Sequence, residues 1–455
     1  DFVAYGTTNW IMTQKEISIL SGETWSMKRY IVDVSTQGLI EKADAVASLY
    51  NEMVGVEIEL SQDLDVMGLN DSVTVTLDLT NTGSDALADC TVTLNLGTGL
   101  ESDDPLEVAV DSVLPGATKT LSWTLTGTGG GTGQFFVDVV KPGLFSTRKT
   151  GSIFITGPGW YDGDNHSHST WSDGSGTIAQ NYASARSKGL SFVTSTDHNS
   201  ISQEADVYLN STTDFLGVLG NEITAGWGHG LAYNIDSVAD WRGTPQQAID
   251  ETLASNAGKG FVYLAHPYYP GLEWDDWNVT GFTGLEVWNG FYPPTSTVNA
   301  RAFAKWDELN VAGYHVYGIA NSDAHNVSKL GDPRIRAYLN EFTREEIIQA
   351  LATGRFYGTN GPELEFGVNN AVMGSDVVVA QDGENLEITM AASHTNIITR
   401  VDLIKNGTVL AQWTPDSKGF SHTHQDPGQD GDFYRLVVQT SDGGYAFSNP
   451  VWITQ

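Results

Sequence analysis

The sequence predicts a multidomain protein in which an α/β domain is flanked by immunoglobulin-like all-β sandwiches. The chain has 455 residues, which exceeds the size that one hydrophobic core usually organises. Residues 53–157 and 361–455 alternate apolar and polar side chains at the period of a strand. Residues 158–360 instead alternate strands with amphipathic helices. The expected segments are therefore 1–52, 53–157, 158–360 and 361–455.

The first segment is expected to be a partial β segment, the remnant of an upstream domain. Strand-like runs lie at Ile17–Leu20 and Tyr30–Val34, and residues 39–50 have helical spacing. The chain opens at Asp1 without a methionine and without a charged-then-apolar leader. This opening is expected of a processed or trimmed product.

The second segment has the pattern of a β-sandwich. The runs Val73–Leu79 and Thr91–Leu96 each place apolar side chains on one face, and Gly-rich or Pro-containing turns separate such runs. Short strands at regular spacing are typical of immunoglobulin-like sandwiches. Cys90 is the only cysteine, so this sequence forms no internal disulfide. It alternates in phase with its apolar neighbours and is expected in the core. The segment contains no histidine, and no chemistry is expected there.

The third segment carries clear helix signals, and the fourth returns to strands. Helices are expected at about 177–188, 244–257, 299–310 and 343–353. Thr244 with Gln247 and Thr343 with Glu346 have the spacing of capping boxes. In the fourth segment, Asn406-Gly407 between two apolar runs predicts a hairpin in a second small sandwich.

The charge of the chain limits its partners. The sequence has 23 basic and 56 acidic residues, a formal net charge of −33. This balance argues against duplex nucleic acid, because such binding depends on Lys and Arg. It fits a secreted, periplasmic or cell-surface protein, and it fits plain solubility equally well. No apolar run is long enough to predict a transmembrane helix.

Histidine and carboxylate residues follow the short apolar runs of the third segment, one run after another. In α/β barrels the carboxyl ends of the strands converge on one face, so these side chains are expected in one pocket. A single histidine after a strand is usually a satisfied polar residue, but a set at successive strand ends indicates a metal site. The residues at these ends are His166, His168, His198, Glu222, His229, His266, Asp323 and His325.

The spacing and chemistry of these residues agree with a metal centre. His166 and His168 are two residues apart, as are Asp323 and His325, so on extended chain each pair shares a face. Imidazole and carboxylate ligands without sulfur suit Zn²⁺, Mn²⁺ or Fe. Glu222 can bridge two ions, and paired ions about 3.5–4 Å apart recur in hydrolytic enzymes.

The ordered motifs resemble the PHP (polymerase and histidinol phosphatase) superfamily. They are His-Ser-His at 166–168, Ser-Asp-Gly at 172–174, Thr-Asp-His at 196–198, Gly-Asn-Glu at 220–222, Ala-His-Pro at 265–267 and Asn-Ser-Asp-Ala-His at 321–325. The last motif, Glu-Val-Trp-Asn at 286–289 and Thr-Asn-Gly-Pro at 359–362 are most similar to its CehA/McbA-type metallohydrolase branch. The resemblance covers about residues 158–455 and not residues 1–157.

The resemblance implies a distorted (β/α)7 barrel with two or three divalent ions. One ion would take His166, His168, Glu222 and Asp323. A second would share Glu222 and take His229 and His266. A third would take Asp173, His198 and His325. His229 is the least certain of these ligands, and if it binds no ion it becomes the leading general acid.

The expected chemistry is hydrolysis by a hydroxide that bridges the ions, with Asp323 among the catalytic residues. His229 or a metal-bound water would protonate the leaving group. Arg334 and Arg336 could contact phosphate oxygens, Arg334 as a catalytic group, although a salt-bridge role is equally open. Candidate residues for the substrate pocket, each with ordinary packing as the alternative, are Trp227, Tyr268, Trp288 and Asn289.

Three functions remain open at this point. A phosphoesterase acting on a small phosphate mono- or diester is favoured. A carboxyl-ester or carbamate hydrolase of the CehA type would use the same metal ions. An inactive glycan-binding surface protein is the third reading. Four further histidines are expected to have structural or solvent-facing positions: His315, His394, His422 and His424.

Overall fold

A computed structural model of the protein describes residues 55–142 and 145–455, together with the backbone of three short strands nearer the start of the chain. These strands, β1 (Phe2–Tyr5), β2 (Trp10–Thr13) and β3 (Val32–Asp33), form one sheet. The strand expected at Ile17–Leu20 and the helical spacing at 39–50 lie outside the described residues. The chain divides into two compact units, residues 1–128 with 133–155 and residues 129–132 with 156–455.

The first unit contains the predicted β-sandwich. One sheet has the order β4-β6-β10-β8 and the other β5-β12-β11-β7-β9. Alternate residues of the central strands point into a shared core, which includes Leu77 of β6, Cys90 of β7 and Trp123 of β10. The strands are β4 (Val56–Gln62), β5 (Val66–Gly68), β6 (Ser72–Asn81), β7 (Leu87–Leu96), β8 (Leu100–Glu101), β9 (Glu107–Val113), β10 (Thr118–Gly127), β11 (Gly131–Lys141) and β12 (Phe145–Thr156).

The second unit begins with a mixed sheet whose strands are mostly buried, which explains their near-continuous apolar sequences. Its strands are β13 (Gly159–Asp164), β14 (Phe192–Ser195), β15 (Leu216–Ala225), β16 (Gly228–Tyr233), β17 (Phe261–Ala265), β18 (Gly284–Asn289), β19 (Tyr317–Asn321), β20 (Arg334–Leu339) and β21 (Phe356–Thr359). Its helices are α1 (Ile178–Ser187), α2 (Glu204–Leu209), α3 (Pro245–Gly258), α4 (Thr297–Val311) and α5 (Arg344–Thr353).

The pairing of these strands curves the sheet back towards its start. β13, β14 and β15 are parallel, as are β17, β18 and β19, whereas β16 runs antiparallel between β15 and β17. An isolated parallel bridge joins Ser167, beyond the end of β13, to Ala324, beyond the end of β19. The segments that follow β13 and β19, the first and the last of these seven strands, therefore lie side by side.

The distorted (β/α)7 barrel expected from the resemblance is not shown by this sheet, because several of its strands are joined without a helix. A tight hairpin at residues 225–228 joins β15 to β16, so no helix separates them. In the described chain β17 and β18 are also linked without a helix. Helices are therefore fewer than the expected repeat requires, and the coarser description, a multidomain and mostly β protein, is confirmed.

The helix boundaries agree with the capping signals. In α3 the Thr244 hydroxyl accepts from the Gln247 backbone, and the Gln247 side chain accepts in return from the Thr244 backbone. In α5 only half of the expected box forms, because the Glu346 carboxylate accepts from Asn340 and Arg355 instead. The short helix α2 was not predicted from the sequence. No helix in the described part of the chain has the length and hydropathy needed to cross a bilayer.

The remainder of the second unit is entirely β. The predicted hairpin is present, since Asn406 and Gly407 have positive φ angles of 49° and 74° between two paired strands. The strands are β22 (Glu363–Val368), β23 (Ala371–Val372), β24 (Asp376–Val378), β25 (Glu384–Lys405), β26 (Thr408–Trp413), β27 (Ser417–Gly428), β28 (Phe433–Thr440), β29 (Tyr445–Ser448) and β30 (Val451–Thr454). The boundaries expected at 52, 157 and 360 stay predictions.

Candidate metal centre

The predicted ligands lie along one edge of the curved sheet. His166 follows the end of β13, His198 follows β14 and His266 follows β17. His229 is near the start of β16, but β16 is antiparallel to its neighbours, so its start lies at the same edge as their ends. His229 pairs directly with Ala265, the residue before His266. The reversed strand therefore brings into the cluster a histidine that a parallel strand would hold at the opposite edge.

Glu222 of β15 is the centre of this cluster, and it is 1 % exposed. Five histidines approach its carboxylate from four strand ends, because His166 and His168 both follow β13. The nitrogen–oxygen distances are 3.4 Å for His166, 3.4 Å for His168, 2.8 Å for His198, 2.9 Å for His229 and 3.0 Å for His266. A carboxylate in this position can share its two oxygens between neighbouring ions.

A second carboxylate, Asp323, closes the buried side of the cluster. Its Oδ1 lies 3.3 Å from His166 Nε2 and 3.2 Å from His168 Nε2. Asp323 has a φ angle of 52° and His266 one of 25°, both in the left-handed region that side chains with a Cβ rarely adopt. Backbone strain of this kind costs about 1–3 kcal/mol and is typical of functional sites.

A second, more exposed set of candidate ligands lies beside the buried residues around Glu222 and Asp323. Asp173, on the loop after His168, approaches His198 Nε2 and His325 Nε2, each at 3.3 Å. The rings of His168 and His325 stack with centroids 4.1 Å apart. Atoms of His168, Asp173, His198 and His325 lie close enough together to hold one ion.

Burial and the surrounding charges shift the pKa values within the cluster. Burial lowers the pKa of His166, but the carboxylates of Asp323, Glu286 and Glu222 together outweigh this effect and raise the pKa to well above its usual value. Burial raises the pKa values of Glu222 and Asp323, but the positive charge of His166 and the closeness of other histidine rings hold both pKa values below their usual range. Burial lowers the pKa of His168. The buried carboxylates and His166 therefore stabilise each other's charged forms.

The donor set fits divalent metal ions. Among the predicted ligands, four buried atoms have no hydrogen-bond partner in the described part of the chain: His166 Nε2, His168 Nε2, His266 Nδ1 and Asp323 Oδ1. A buried polar atom without a partner costs about 1–3 kcal/mol. Such a concentration of unpaired imidazole nitrogens and a carboxylate oxygen is expected where an ion accepts their lone pairs.

All nine residues predicted as ligands come together. Four groups have the right spacing for one ion each, although some share members. They are His168 with Asp173, His198 and His325; His166 with His266 and Asp323; His166 with His168 and Glu222; and Glu222 with His229 and His266. The last group matches the predicted second set. The first adds His168 to the predicted third set. The number of ions and the role of each residue stay predictions.

The two arginines expected to contact phosphate have other partners. Arg334 forms an ion pair with Asp162 of β13, and Arg336 forms ion pairs with Asp162 and Glu363. Burial lowers the pKa of Arg336, but Tyr357 and these carboxylates raise it well above its usual value. The salt-bridge alternative therefore describes the contacts of both side chains, and a role in substrate binding stays a prediction.

Of the four residues expected to line the substrate pocket, Asn289 has direct contact with the cluster, where its Nδ2 donates to Asp323 Oδ2 at 3.0 Å. The other three make packing contacts. Trp288 is 2 % exposed and meets Tyr445 edge-on, Trp227 meets Trp274 edge-on, and Tyr268 stacks on Trp277.

Two kinds of residue at the site were not predicted from the sequence. Tyr269 lies edge-on to His266, with ring centroids 5.6 Å apart, and Phe291 lies 6.0 Å from His325. These two rings also contact each other, so they form an aromatic rim beside the ligands. The buried carboxylate of Glu286 hydrogen-bonds His166. Each of the three lies within three positions of a predicted ligand or pocket residue, and Glu286 also begins the Glu-Val-Trp-Asn motif, which was the signal available in the sequence.

The remaining histidines belong to none of the ligand groups found in the described chain. His315 stacks on Trp452, with centroids 4.9 Å apart and ring planes at 9°. His394 is within 3.2 Å of Asp442. His422 and His424 lie on β27 beside the ring of Trp413. These positions agree with the structural or surface roles expected for them.

Comparison with known sequences finds short matches. No protein-family model matches the chain. A match of 132 residues to an uncharacterised protein of Chlamydia pneumoniae is 30 % identical and covers 25 % of this chain and 21 % of that protein. An uncharacterised protein of Chlamydia trachomatis serovar D matches at 29 % identity over the same shares. The chain therefore spans about a fifth of the length of the curated relatives it matches.

Solved structures give longer matches at low similarity. A two-domain protein from Bacteroides vulgatus, described as containing a predicted PHP-like metal-dependent phosphoesterase, covers 62 % of this chain and 91 % of its own at 14 % identity and a TM-score of 0.37. A candidate metal-dependent phosphoesterase from Bifidobacterium adolescentis covers 42 % of this chain and 95 % of its own at 18 % identity and a TM-score of 0.29. Because both TM-scores are below 0.5, we infer the function from the residues of the site and not from these similarities.

Proposed function

We propose that this protein is a metal-dependent hydrolase of the PHP superfamily, with a phosphate ester as its preferred substrate. One observation carries the proposal: side chains from successive strand ends converge on the buried carboxylate of Glu222, and four buried atoms of the cluster lack a hydrogen-bond partner among the described residues. A curved sheet with helices on some of its connections is then a divergent form of the (β/α)7 barrel. A CehA/McbA-type branch is part of the proposal.

The residues of the cluster define what it can do. Divalent ions bound there would supply activated water and polarise a substrate oxygen. Glu222, Asp323 and the histidines would hold such ions, which we propose are two or three Zn²⁺, Mn²⁺ or Fe ions. His229 is 5 % exposed and lies 2.9 Å from Glu222, so it can serve as a ligand or deliver a proton to a leaving group.

The local charge supports an anionic substrate. Three dications would outweigh the carboxylates at the cluster, which are Asp173, Glu222, Glu286 and Asp323, so the pocket would be positive although the whole chain is acidic. The ion pairs of Arg334 and Arg336 mean that the metal ions, rather than arginine, would bind the phosphoryl oxygens.

Nitrophenol release from a panel of esters tests this proposal. The panel contains phosphate monoesters, phosphate diesters, carboxyl esters and carbamates, each with the Zn²⁺- and the Mn²⁺-loaded protein. We expect a phosphate ester to have the highest kcat/KM and a chelator to abolish that activity. Absence of hydrolysis by the fully loaded protein, or hydrolysis that survives chelation, would contradict the proposal.

A second candidate is hydrolysis of a carboxyl ester or carbamate. The specific observation in its favour is the rim of Tyr269 and Phe291, the latter 51 % exposed, beside His266 and His325. Aromatic rings can pack against a flat apolar leaving group. A higher kcat/KM for the carbonyl esters in the same panel would select this candidate.

An inactive glycan-binding surface protein is a third candidate with less support. A decayed site is expected to lose ligands, whereas all nine expected positions retain a ligand type. Glycan binding that survives chelation would favour it. A secreted, periplasmic or cell-surface location is likewise a proposal, supported by the excess of acidic over basic residues.

A further inference from the structure

Glu286 of β18 is a buried carboxylate that is 0 % exposed and accepts four hydrogen bonds. Its Oε1 is 3.0 Å from His166 Nδ1 and 3.0 Å from Asn321 Nδ2. Its Oε2 accepts from the backbone N–H of His266 at 2.9 Å and from Asn289 Nδ2 at 3.1 Å. Both oxygens are therefore fully used by groups at the edge of the metal centre.

The contact with His166 determines how that ring is used. An ionised carboxylate only accepts hydrogen bonds, so Nδ1 carries the proton and its N–H donates a hydrogen bond to Glu286 Oε1. In the neutral ring the lone pair is then on Nε2, the buried atom that faces Glu222 and Asp323 and has no hydrogen-bond partner among the described residues. Glu286 therefore selects the tautomer in which His166 can bind an ion through Nε2.

The same carboxylate restrains two further ligands. Its bond to the His266 amide lies at a backbone with a φ angle of 25°, where a hydrogen bond can offset local strain. Asn289, held by Glu286, also donates to Asp323 Oδ2 at 3.0 Å. Glu286 thus contacts the ring of His166 and the backbone N–H of His266. It is connected to Asp323 through the side-chain amide of Asn289.

Glu286 has no Lys or Arg partner in the part of the chain that the structure describes; its ion-pair contact is with His166. A purely structural buried carboxylate in this protein is balanced differently. Asp402 is 4 % exposed and accepts from the guanidinium of Arg400 and from Gln412. The charge of Glu286 is therefore directed to the ligand cluster, whereas that of Asp402 is neutralised locally.

We propose that Glu286 is the positioning residue of the metal centre, which orients His166, His266 and Asp323 without itself binding an ion. This inference rests on the proposed metal-dependent function. A glutamine at this position would keep the volume but offer one acceptor oxygen instead of two, and its NH₂ group would face donors. Loss of such an outer contact typically weakens metal affinity about 10–100-fold.

The test uses the full chain and Co²⁺ as the probe. We expect Glu286→Gln to bind Co²⁺ about 10–100-fold more weakly than the wild type in competition with a chelator. We also expect a changed visible Co²⁺ spectrum and an unchanged circular dichroism spectrum. Asp402→Asn is the matched control and should keep wild-type affinity and spectrum. Wild-type affinity and an unchanged Co²⁺ spectrum in folded Glu286→Gln would overturn the inference.

A second variant keeps the inference testable if Glu286→Gln does not fold. Asn289→Ala removes the Nδ2 that connects Glu286 to Asp323, together with the Oδ1 that accepts from the Phe291 backbone, and it should weaken Co²⁺ binding and change its spectrum. Wild-type values in folded Asn289→Ala would then overturn the inference. If the wild type binds no Co²⁺, the proposed function itself fails; if it binds and the variants match it, only the positioning role fails.

Discussion

At the scale of single residues, the cluster depends most on Glu222. Histidines from β16 and from the ends of β13, β14 and β17 approach its two oxygens, so their mutual positions are set by one buried carboxylate. His166 is the second most connected residue of the cluster in this sense, because its ring contacts the carboxylates of Glu222, Asp323 and Glu286. Removal of either Asp323 or His166 therefore leaves several other groups without their partner.

We predict that Asp323→Ala or His166→Ala loses bound metal and activity together. Each variant should lose at least one ion, and kcat/KM should fall at least about 100-fold, which corresponds to about 2.7 kcal/mol. Metal analysis after desalting and ester hydrolysis measure the two effects. His424→Ala, on β27, is the control and should match the wild type. Full occupancy in both ligand variants would contradict the assigned site.

For Arg336→Ala we predict loss of stability rather than loss of substrate binding. Arg336 is 16 % exposed, and its removal leaves Asp162 and Glu363 with less neutralisation. After allowance for partial exposure, we expect a cost of about 1–3 kcal/mol. Urea unfolding and KM should be measured together, with exposed Lys418→Ala as control. A raised KM at unchanged stability would instead support phosphate binding by this arginine.

The ligands could be predicted residue by residue because metal-binding residue types directly follow or lie within recognisable apolar runs. Glu286 and the rim residues Tyr269 and Phe291 could not, because their roles depend on contacts between chain segments far apart in sequence. Glu286 lies within an apolar strand, where its spacing carries no sign that it faces His166.

At the scale of secondary-structure elements, the reversed strand β16 has the largest effect on the site. Its tight connection to β15 places His229 at the edge where the neighbouring parallel strands end. The sequence predicted a ligand near the Gly-rich residues 226–230 but not the reversal. Glycine at 228, with a φ angle of 127°, permits the turn, and the turn type decides the direction of the strand.

Helix boundaries were predictable where the caps are local. The Thr244–Gln247 box formed as expected, but Glu346 of the other box was diverted to Asn340 and Arg355. Reciprocal capping depends only on neighbouring residues, whereas the diversion depends on the fold around α5. The short helix α2 has no such cap, since Gln203 at its start makes no side-chain capping bond.

At this scale we predict that Thr244→Ala lowers the free energy of unfolding by about 1 kcal/mol, because it removes the hydroxyl that accepts from the Gln247 backbone. Metal content should not change, since α3 contributes no ligand. Urea unfolding with parallel metal analysis gives both values. An unchanged midpoint would show that the cap does not stabilise α3, and lost metal would connect α3 to the site.

At the scale of the whole molecule, net charge and local charge act in opposite directions. The chain carries a formal charge of −33, so it repels an anionic substrate at long range. Bound cations would attract the same substrate at short range. The multidomain, mostly β character of the chain was predictable from sequence patterns, and so was the approach of the nine candidate ligands to one another, whereas the (β/α)7 barrel was not found. The strand pairing that curves the sheet was not predictable, because it depends on non-local contacts such as Ser167 with Ala324.

We predict that kcat/KM for an anionic phosphate ester rises several-fold when ionic strength increases from about 0.01 to about 0.15 M, because the screening length falls from about 30 to about 8 Å. A neutral carboxyl ester serves as the control and should change little. Initial rates below KM at several salt concentrations measure the effect. A fall in kcat/KM for the anionic ester would show that the site, not the surface, controls substrate approach.

The most direct test of the metal centre is anomalous X-ray diffraction from crystals loaded with Zn²⁺ or Mn²⁺. We predict two or three anomalous peaks within about 2.0–2.3 Å of nitrogen and oxygen atoms of the nine residues, with Glu222 between two of them. Saturated crystals without an anomalous peak at Glu222 would contradict the central claim that these strand ends form a metal centre.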